Sequence, residues 1–174
     1  MYPPQPESVT KEGFENVWNA SKGADRYRRG LYTFIQRTSP FAQYITFDLP
    51  DTTRACTRRG RSNSPLQALN LLNDPVFFEA AQSLATNILT YAKTDKAERL
   101  AYGFKLCLGR KPRPEESARL LKYLDQQIQI FGQEPERATE LSTAKVKGCD
   151  AKEAAAWVSL SSVMLNLDEF ITKE

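Results

Sequence analysis

The sequence predicts an all-α fold: an irregular bundle of about five main helices, preceded by an extended N-terminal arm and a polar loop region. Three observations predict it. After Ser64, apolar residues recur at three- and four-residue steps through most of the chain. Helix-start signatures punctuate those stripes at Ser64-Pro65, Asp74-Pro75, Asp95-Lys96 and Pro114-Glu115-Glu116. Period-two alternation, the mark of a half-buried strand, is almost absent.

Residues 1–25 carry three of the ten prolines and no sustained periodicity, so they read as an extended or irregular arm, with residues 26–174 as the helical domain. The spacing of Tyr27, Leu31 and Phe34/Ile35 predicts a short helix over 27–37. Residues 38–61 are turn-rich, with Ser39-Pro40, Leu49-Pro50-Asp51 and Arg59-Gly60-Arg61 as punctuation and an ambiguous short helix around Phe41–Phe47. Ser64-Pro65-Leu66-Gln67 then reads as a capping box, with Ser64 capping and Gln67 reaching back. Its helix is expected to face the core through Leu66, Leu69 and Leu72. Asp74-Pro75 opens a second helix bearing Phe77, Ala81, Leu84, Ile88 and Tyr91. Asp95 with Glu98 starts a third that buries Ala97, Leu100/Ala101, Phe104 and Cys107/Leu108 and stops at Gly109. Pro114 opens a fourth, with Ala118, Leu121, Leu124, Ile128 and Phe131 inward and Gly132 at its end. Residues 133–150 are polar, a helix fragment followed by a loop. A final helix from about Ala151 to Ile171 carries Trp157, Leu160, Met164, Leu167 and Ile171, widened by Val163 and Phe170.

At 174 residues the chain suits a single hydrophobic core, and 41% apolar with 26% charged residues is ordinary globular usage. No stretch approaches the roughly 20 apolar residues of a membrane-spanning helix. The opening Met1-Tyr2-Pro3-Pro4 has no signal-peptide character, and its proline-rich start reads as the middle of a surface segment in a longer parent. Histidine is absent. This removes Ser-His-Asp and Cys-His nucleophilic machinery and histidine-ligated zinc or haem from the chain. Cys56, Cys107 and Cys149 cannot all pair with one another, and no C-x-x-C spacing appears. Cys107 lies on an apolar stripe and reads as core; Cys56 and Cys149 either pair or stay free.

Several ordered runs carry a family resemblance. They are Asp25-Arg26-Tyr27-Arg28-Arg29-Gly30-Leu31-Tyr32-Thr33-Phe34, Arg37-Thr38-Ser39-Pro40, Thr46-Phe47-Asp48-Leu49-Pro50-Asp51 and Cys56-Thr57-Arg58-Arg59. Ser62-Asn63-Ser64-Pro65-Leu66-Gln67-Ala68-Leu69, Leu71-Leu72-Asn73-Asp74-Pro75 and Leu165-Asn166-Leu167-Asp168-Glu169-Phe170 complete the set. Together, from about Tyr2 to the end, they resemble the C-terminal domain of large planctomycete-type proteins, the domain of unknown function 1553 family. The resemblance implies a helical C-terminal module of an exported multidomain protein, extracytoplasmic in location. Its partners would be upstream domains of the same parent, one of them cytochrome-c-like. Haem would then sit upstream, and no cofactor is expected in this chain. Ser64 stands where Thr is common before the proline, and Arg113 where a Thr cap is common, which weakens that helix start.

The net charge of +3 conceals an asymmetry, because residues 22–61 hold nine basic and three acidic side chains. Eight of the nine are arginine, suited to bidentate pairing with carboxylate, phosphate or sulfate. The candidate ligand-binding residues are therefore Arg28, Arg29, Asp48, Asp51, Arg58, Arg59, Arg61, Asn63, Gln67 and Asn73. Two readings stand side by side. In one, arginines and aspartates pair internally and pin an irregular loop onto the helices. In the other, the arginines hold an acidic or sulfated carbohydrate, with Asp48 and Asp51 as acid/base groups of an active site shared with missing N-terminal domains. No calcium-loop spacing and no nucleic-acid-reading motif accompany them, so neither metal nor nucleic acid is expected. Cys56 lacks a histidine partner and reads as a buried structural thiol rather than a nucleophile.

Overall fold

Helices and short 3-10 turns are the only regular elements among the residues described, which are 1–5, 18–35, 40–51, 53–60, 62–91, 95–142 and 149–172 of a computed structural model. The fold is all-α. It divides into two compact units, Met1–Val76 and Phe77–Glu174.

The first unit contains 3-10 turns at Gly23–Tyr27 and Gly30–Tyr32, helix α1 (Ala42–Thr46) and helix α2 (Pro65–Asn73). Its described N-terminal residues have no regular structure but are held in place. The Ser21 N–H donates to the Tyr2 carbonyl at 2.7 Å, the Trp18 indole N–H to the Pro3 carbonyl at 2.6 Å, and the Phe34 N–H to the Met1 carbonyl at 2.8 Å. A chain of rings runs through the same place. Tyr2 meets Trp18 edge-on at 5.2 Å, Trp18 stacks on Phe41 at 6.3 Å, and Phe41 meets Tyr44 at 5.2 Å. Such pairs add about 0.5–1.5 kcal/mol each beyond their buried area.

The helix expected over 27–37 does not form across the described part of that span. Arg28 and Arg29 are extended (φ/ψ −69/151° and −57/147°), and only Gly30–Tyr32 make a single 3-10 turn. Gly30 is the reason. The Tyr44 hydroxyl lies 2.7 Å from the Gly30 carbonyl and 2.8 Å from Thr33 Oγ1. A Cβ at position 30 would stand only 2.5 Å from that hydroxyl. The Gly30 carbonyl accepts both this hydroxyl and the Thr33 N–H at 3.0 Å, while the Phe34 N–H that an α-helix would bring to it goes to the Met1 carbonyl instead. Residues 36–39, including Arg37 and the Ser39 half of the Ser39-Pro40 turn, lie outside the described residues.

In α2 the capping box forms as expected. The Gln67 N–H donates to Ser64 Oγ at 3.3 Å, and the Ser64 N–H donates to Gln67 Oε1 at 3.1 Å. The buried face is the surprise. Leu66, Leu69 and Leu72 are 61%, 56% and 48% exposed, whereas Gln67 and Leu71 are buried. The Gln67 amide also donates to the Thr46 carbonyl and to Ser62 Oγ, both at 2.9 Å, which turns this edge of the helix inward. Side-chain hydrogen bonding has overridden the leucine stripe.

In the second unit, α3 (Pro75–Tyr91, all but its first two residues), α4 (Lys96–Leu108), α5 (Pro114–Gln133), α6 (Pro135–Leu141) and α8 (Asp168–Ile171) accompany α7 (Ala151–Leu165). α7 is buried on almost every side, through Ala154, Ala155, Ala156, Trp157, Val158, Leu160, Ser161 and Met164. A helix apolar all round is a core helix, and the three consecutive alanines let neighbours approach closely. Ile88, Leu100, Phe104, Leu124 and Phe131 close on it from α3, α4 and α5. Burial of each such large side chain contributes about 1.5–3 kcal/mol. Gly103 belongs to the same packing, since a Cβ there would meet Ile88 Cδ1 at 2.8 Å and Met164 Cε at 3.1 Å.

The second unit departs from the expected pattern in three places. Tyr91, Ala97 and Ala118 are exposed rather than core, although Tyr91 stacks on Tyr102 at 3.6 Å. α5 runs through Gly132 to Gln133, because Pro135 rather than the glycine dictates the break. The last helix ends at Leu165; Leu167 is extended, and Asp168–Ile171 forms a separate turn of helix.

Candidate functional site

Between α1 and α2 the chain makes a loop whose base is cross-braced from both sides. Asp48 occupies the left-handed region (φ +57°), which aspartate tolerates better than most side chains. From there its Oδ2 accepts the Ser62 N–H and the Ser62 hydroxyl, each at 2.7 Å. The Ser62 hydroxyl in turn accepts from the buried Gln67 amide. Arg59 reaches back to the same corner, donating through Nε to the Asp48 carbonyl at 3.1 Å and through Nη2 to the Phe47 carbonyl at 2.6 Å. The two hydrogen bonds from Ser62, assisted by the Arg59 charge, hold the Asp48 carboxyl below its ordinary range. Asp51 is likewise lowered, by the Thr53 hydroxyl at 2.7 Å and the Thr53 N–H at 2.9 Å.

The structure therefore sorts the sequence candidates. Asp48, Arg59 and Gln67 come together at the base of the loop, Gln67 through Ser62 and Arg59 through the Phe47 and Asp48 carbonyls. Asn73 lies apart, its amide donating to the Leu69 carbonyl one turn back along α2 at 2.7 Å. Asn63 is exposed beside Ser62. Arg28 sits on the earlier segment, where its Nε donates to Asp25 at 2.6 Å and its guanidinium lies 5.8 Å from the Tyr32 ring centre. Arg29 and Arg58 are exposed, and among the described residues no carboxylate pairs with either. Arg54 stands 3.9 Å from Asp51, a loose surface contact. Arg61 lies outside the described residues. Cys56 is not the buried thiol expected: it is exposed on the loop, where its thiol donates to the Arg58 carbonyl at 3.3 Å.

Residues 1–124 match the family model described as PSD1, protein of unknown function (DUF1553). The chain belongs to this family. No curated protein and no solved structure matches it. The DUF1553 match takes in the whole first unit, with its braced loop, and continues through α3 and α4 into α5.

Sequence reasoning missed two polar centres. One is Ser62, which joins Asp48 to Gln67; it opens one of the runs that carry the family resemblance, but nothing in the sequence pairs it with Asp48. The other is Arg110, just after α4, whose guanidinium is fully engaged. Nε and Nη2 bind Glu169 at 2.8 and 2.6 Å, Nη1 and Nη2 bind Glu116 at 2.8 Å each, and Nη1 also reaches the Lys111 carbonyl at 3.1 Å. Glu116 also accepts the Arg113 N–H at 2.7 Å, so it repairs the helix start that Arg113 cannot cap. Arg110 holds the Glu116 carboxyl down to about 2 and lowers Glu169 as well; the two carboxylates, Glu116 first, raise Arg110 in return. The Phe104 ring lies 5.5 Å from the guanidinium carbon. A guanidinium so completely paired has no donor left for a ligand, which makes this a structural node. Among the described residues no three His, Cys, Asp or Glu side chains are grouped to hold a metal, and no helix is long and apolar enough to cross a membrane.

Proposed function

We propose that this DUF1553 chain is a non-catalytic, ligand-contacting helical module that presents arginine to an anionic, polyhydroxylated partner such as an acidic or sulfated carbohydrate. The observation that carries the reading is the division of labour within one loop. Arg59, Asp48 and Ser62 are consumed in bracing its base, while Arg58, between them, is displayed to water with no carboxylate partner among the described residues. The bracing holds the backbone that carries Arg58 in place before the ligand arrives, which lowers the ordering cost of the loop on binding. Arginine's planar fork suits sulfate or carboxylate oxygens.

An acid/base role for Asp48 or Asp51 is less well supported. Both carboxylates already accept two hydrogen bonds from a neighbouring Ser or Thr, and both are shifted away from the raised pKa that a general acid needs near neutrality. On the strength of the family resemblance, the module would work within a longer extracytoplasmic protein, beside upstream domains that carry any haem.

Isothermal titration with a sulfated oligosaccharide, its carboxylated counterpart and a neutral one tests the proposal. The charged sugars are expected to bind, more weakly as salt rises, and Arg58→Ala is expected to weaken them at least about tenfold, or 1.4 kcal/mol. Equal binding of the neutral sugar, or unchanged binding by Arg58→Ala, would overturn it.

A further inference from the structure

A second surface of the first unit has different chemistry. Within nine residues, Tyr27, Leu31, Tyr32, Phe34 and Ile35 are 58%, 86%, 49%, 45% and 46% exposed. The backbone that displays them is not a free loop. The Gly30 carbonyl and Thr33 hydroxyl meet the Tyr44 hydroxyl, Thr33 is buried, and the Phe34 N–H is bonded to the Met1 carbonyl. Arginines border the apolar side chains. Arg26 lies 5.8 Å from the Tyr27 ring centre, Arg28 lies at the same distance from Tyr32, and Arg29 is exposed between them. The one acid of the segment, Asp25, is already taken by Arg28.

We infer that residues 26–35 form a docking surface for an acidic, amphipathic segment of another protein. Beside the Arg28–Asp25 pair, Arg29 is exposed with no carboxylate partner among the described residues, so the complementary partner supplies carboxylates. Tyrosine and arginine around an apolar centre are the residue types enriched where protein interfaces concentrate their binding energy. Leu31 and Ile35 decide between macromolecules. A polysaccharide would use the aromatic faces and the cations but leave two aliphatic side chains in water. A protein segment with apolar residues covers them. The surface is fixed beforehand by the Tyr44 contacts, so little ordering is needed on binding.

The test is a nuclear magnetic resonance titration of the 174-residue chain with a synthetic peptide alternating leucine and glutamate. Its controls are the lysine-for-glutamate version, polyglutamate and a sulfated oligosaccharide. The Leu/Glu peptide is expected to shift the amides of residues 26–35. Leu31→Asp and the double variant Arg28→Ala/Arg29→Ala should each weaken it about tenfold, equal to 1.4 kcal/mol. Leu31 is so exposed that its variant should keep the parent melting temperature, and Arg58→Ala should leave the peptide affinity unchanged. That last arm separates this surface from the loop proposed above to hold a sugar. Binding of polyglutamate as tight as that of the Leu/Glu peptide would overturn the inference. So would full affinity in Leu31→Asp, shifts confined to other residues, or movement of these same amides by the sulfated sugar alone.

Discussion

Gln67 holds more of the first unit's polar structure than any sequence pattern suggested. Its amide closes the α2 capping box, reaches the Thr46 carbonyl at the end of α1, and supports the hydroxyl that Asp48 binds. Truncation to alanine leaves several of these partners without a mate inside the protein. Gln67→Ala should therefore cost about 1–3 kcal/mol in urea unfolding, whereas the exposed Leu69→Ala should stay within about 0.5 kcal/mol. The leucine stripe alone predicts the opposite order, so the pair of measurements discriminates cleanly. Ser161 offers the converse case. Its hydroxyl is fully buried in the second unit and makes no hydrogen bond among the described residues. Ser161→Ala removes that polar atom and improves helix propensity, so the variant should gain about 1 kcal/mol in the same assay.

Among the elements, those of the second unit were the more legible. Asp74 and Asp95 cap α3 and α4 where their side chains said they would, Gly109 closes α4 in the left-handed conformation, and Leu100, Phe104, Leu124, Trp157, Leu160 and Met164 are buried as their spacing required. Those helices are long, and each answers mainly to its own periodicity. The described 27–35 segment and α2 are short, and a few long-range hydrogen bonds from Tyr44 and Gln67 outweigh a few apolar residues there. The arginine-rich character of the candidate site was visible in the sequence. Its division into bracing and displayed arginines was not, because which of Arg58 and Arg59 turns inward depends on the carbonyls of Phe47 and Asp48. The Arg110 node escaped for a similar reason, since Glu169 lies 59 residues away along the chain.

For the molecule as a whole, the hydrogen-bonded and ion-paired carboxylates are expected to contribute to the loss of stability in acid. Asp48, Glu116 and Glu169 are all depressed in the folded state, Glu116 to about 2. A depressed carboxyl stabilises the fold fully above its unfolded value, near 4.5 for glutamate, and loses that contribution as pH falls toward the folded value. Arg110→Met should thus lower the melting temperature near neutrality, more than Arg137→Met, whose partner Glu134 is a surface neighbour. It should also flatten the dependence of melting temperature on pH between about 4.5 and 2. A variant that keeps the parent's acid slope would show that the Arg110 node does not set it.

The positions of the two tryptophans bring one more consequence. Trp18 belongs to the ring cluster of the first unit, and Trp157 is fully enclosed in the second; the sequence has no others. Each unit thus carries its own fluorophore. Replacing one indole at a time by phenylalanine gives two optical probes, so the midpoints of the single-tryptophan proteins reveal whether the halves melt cooperatively or in succession.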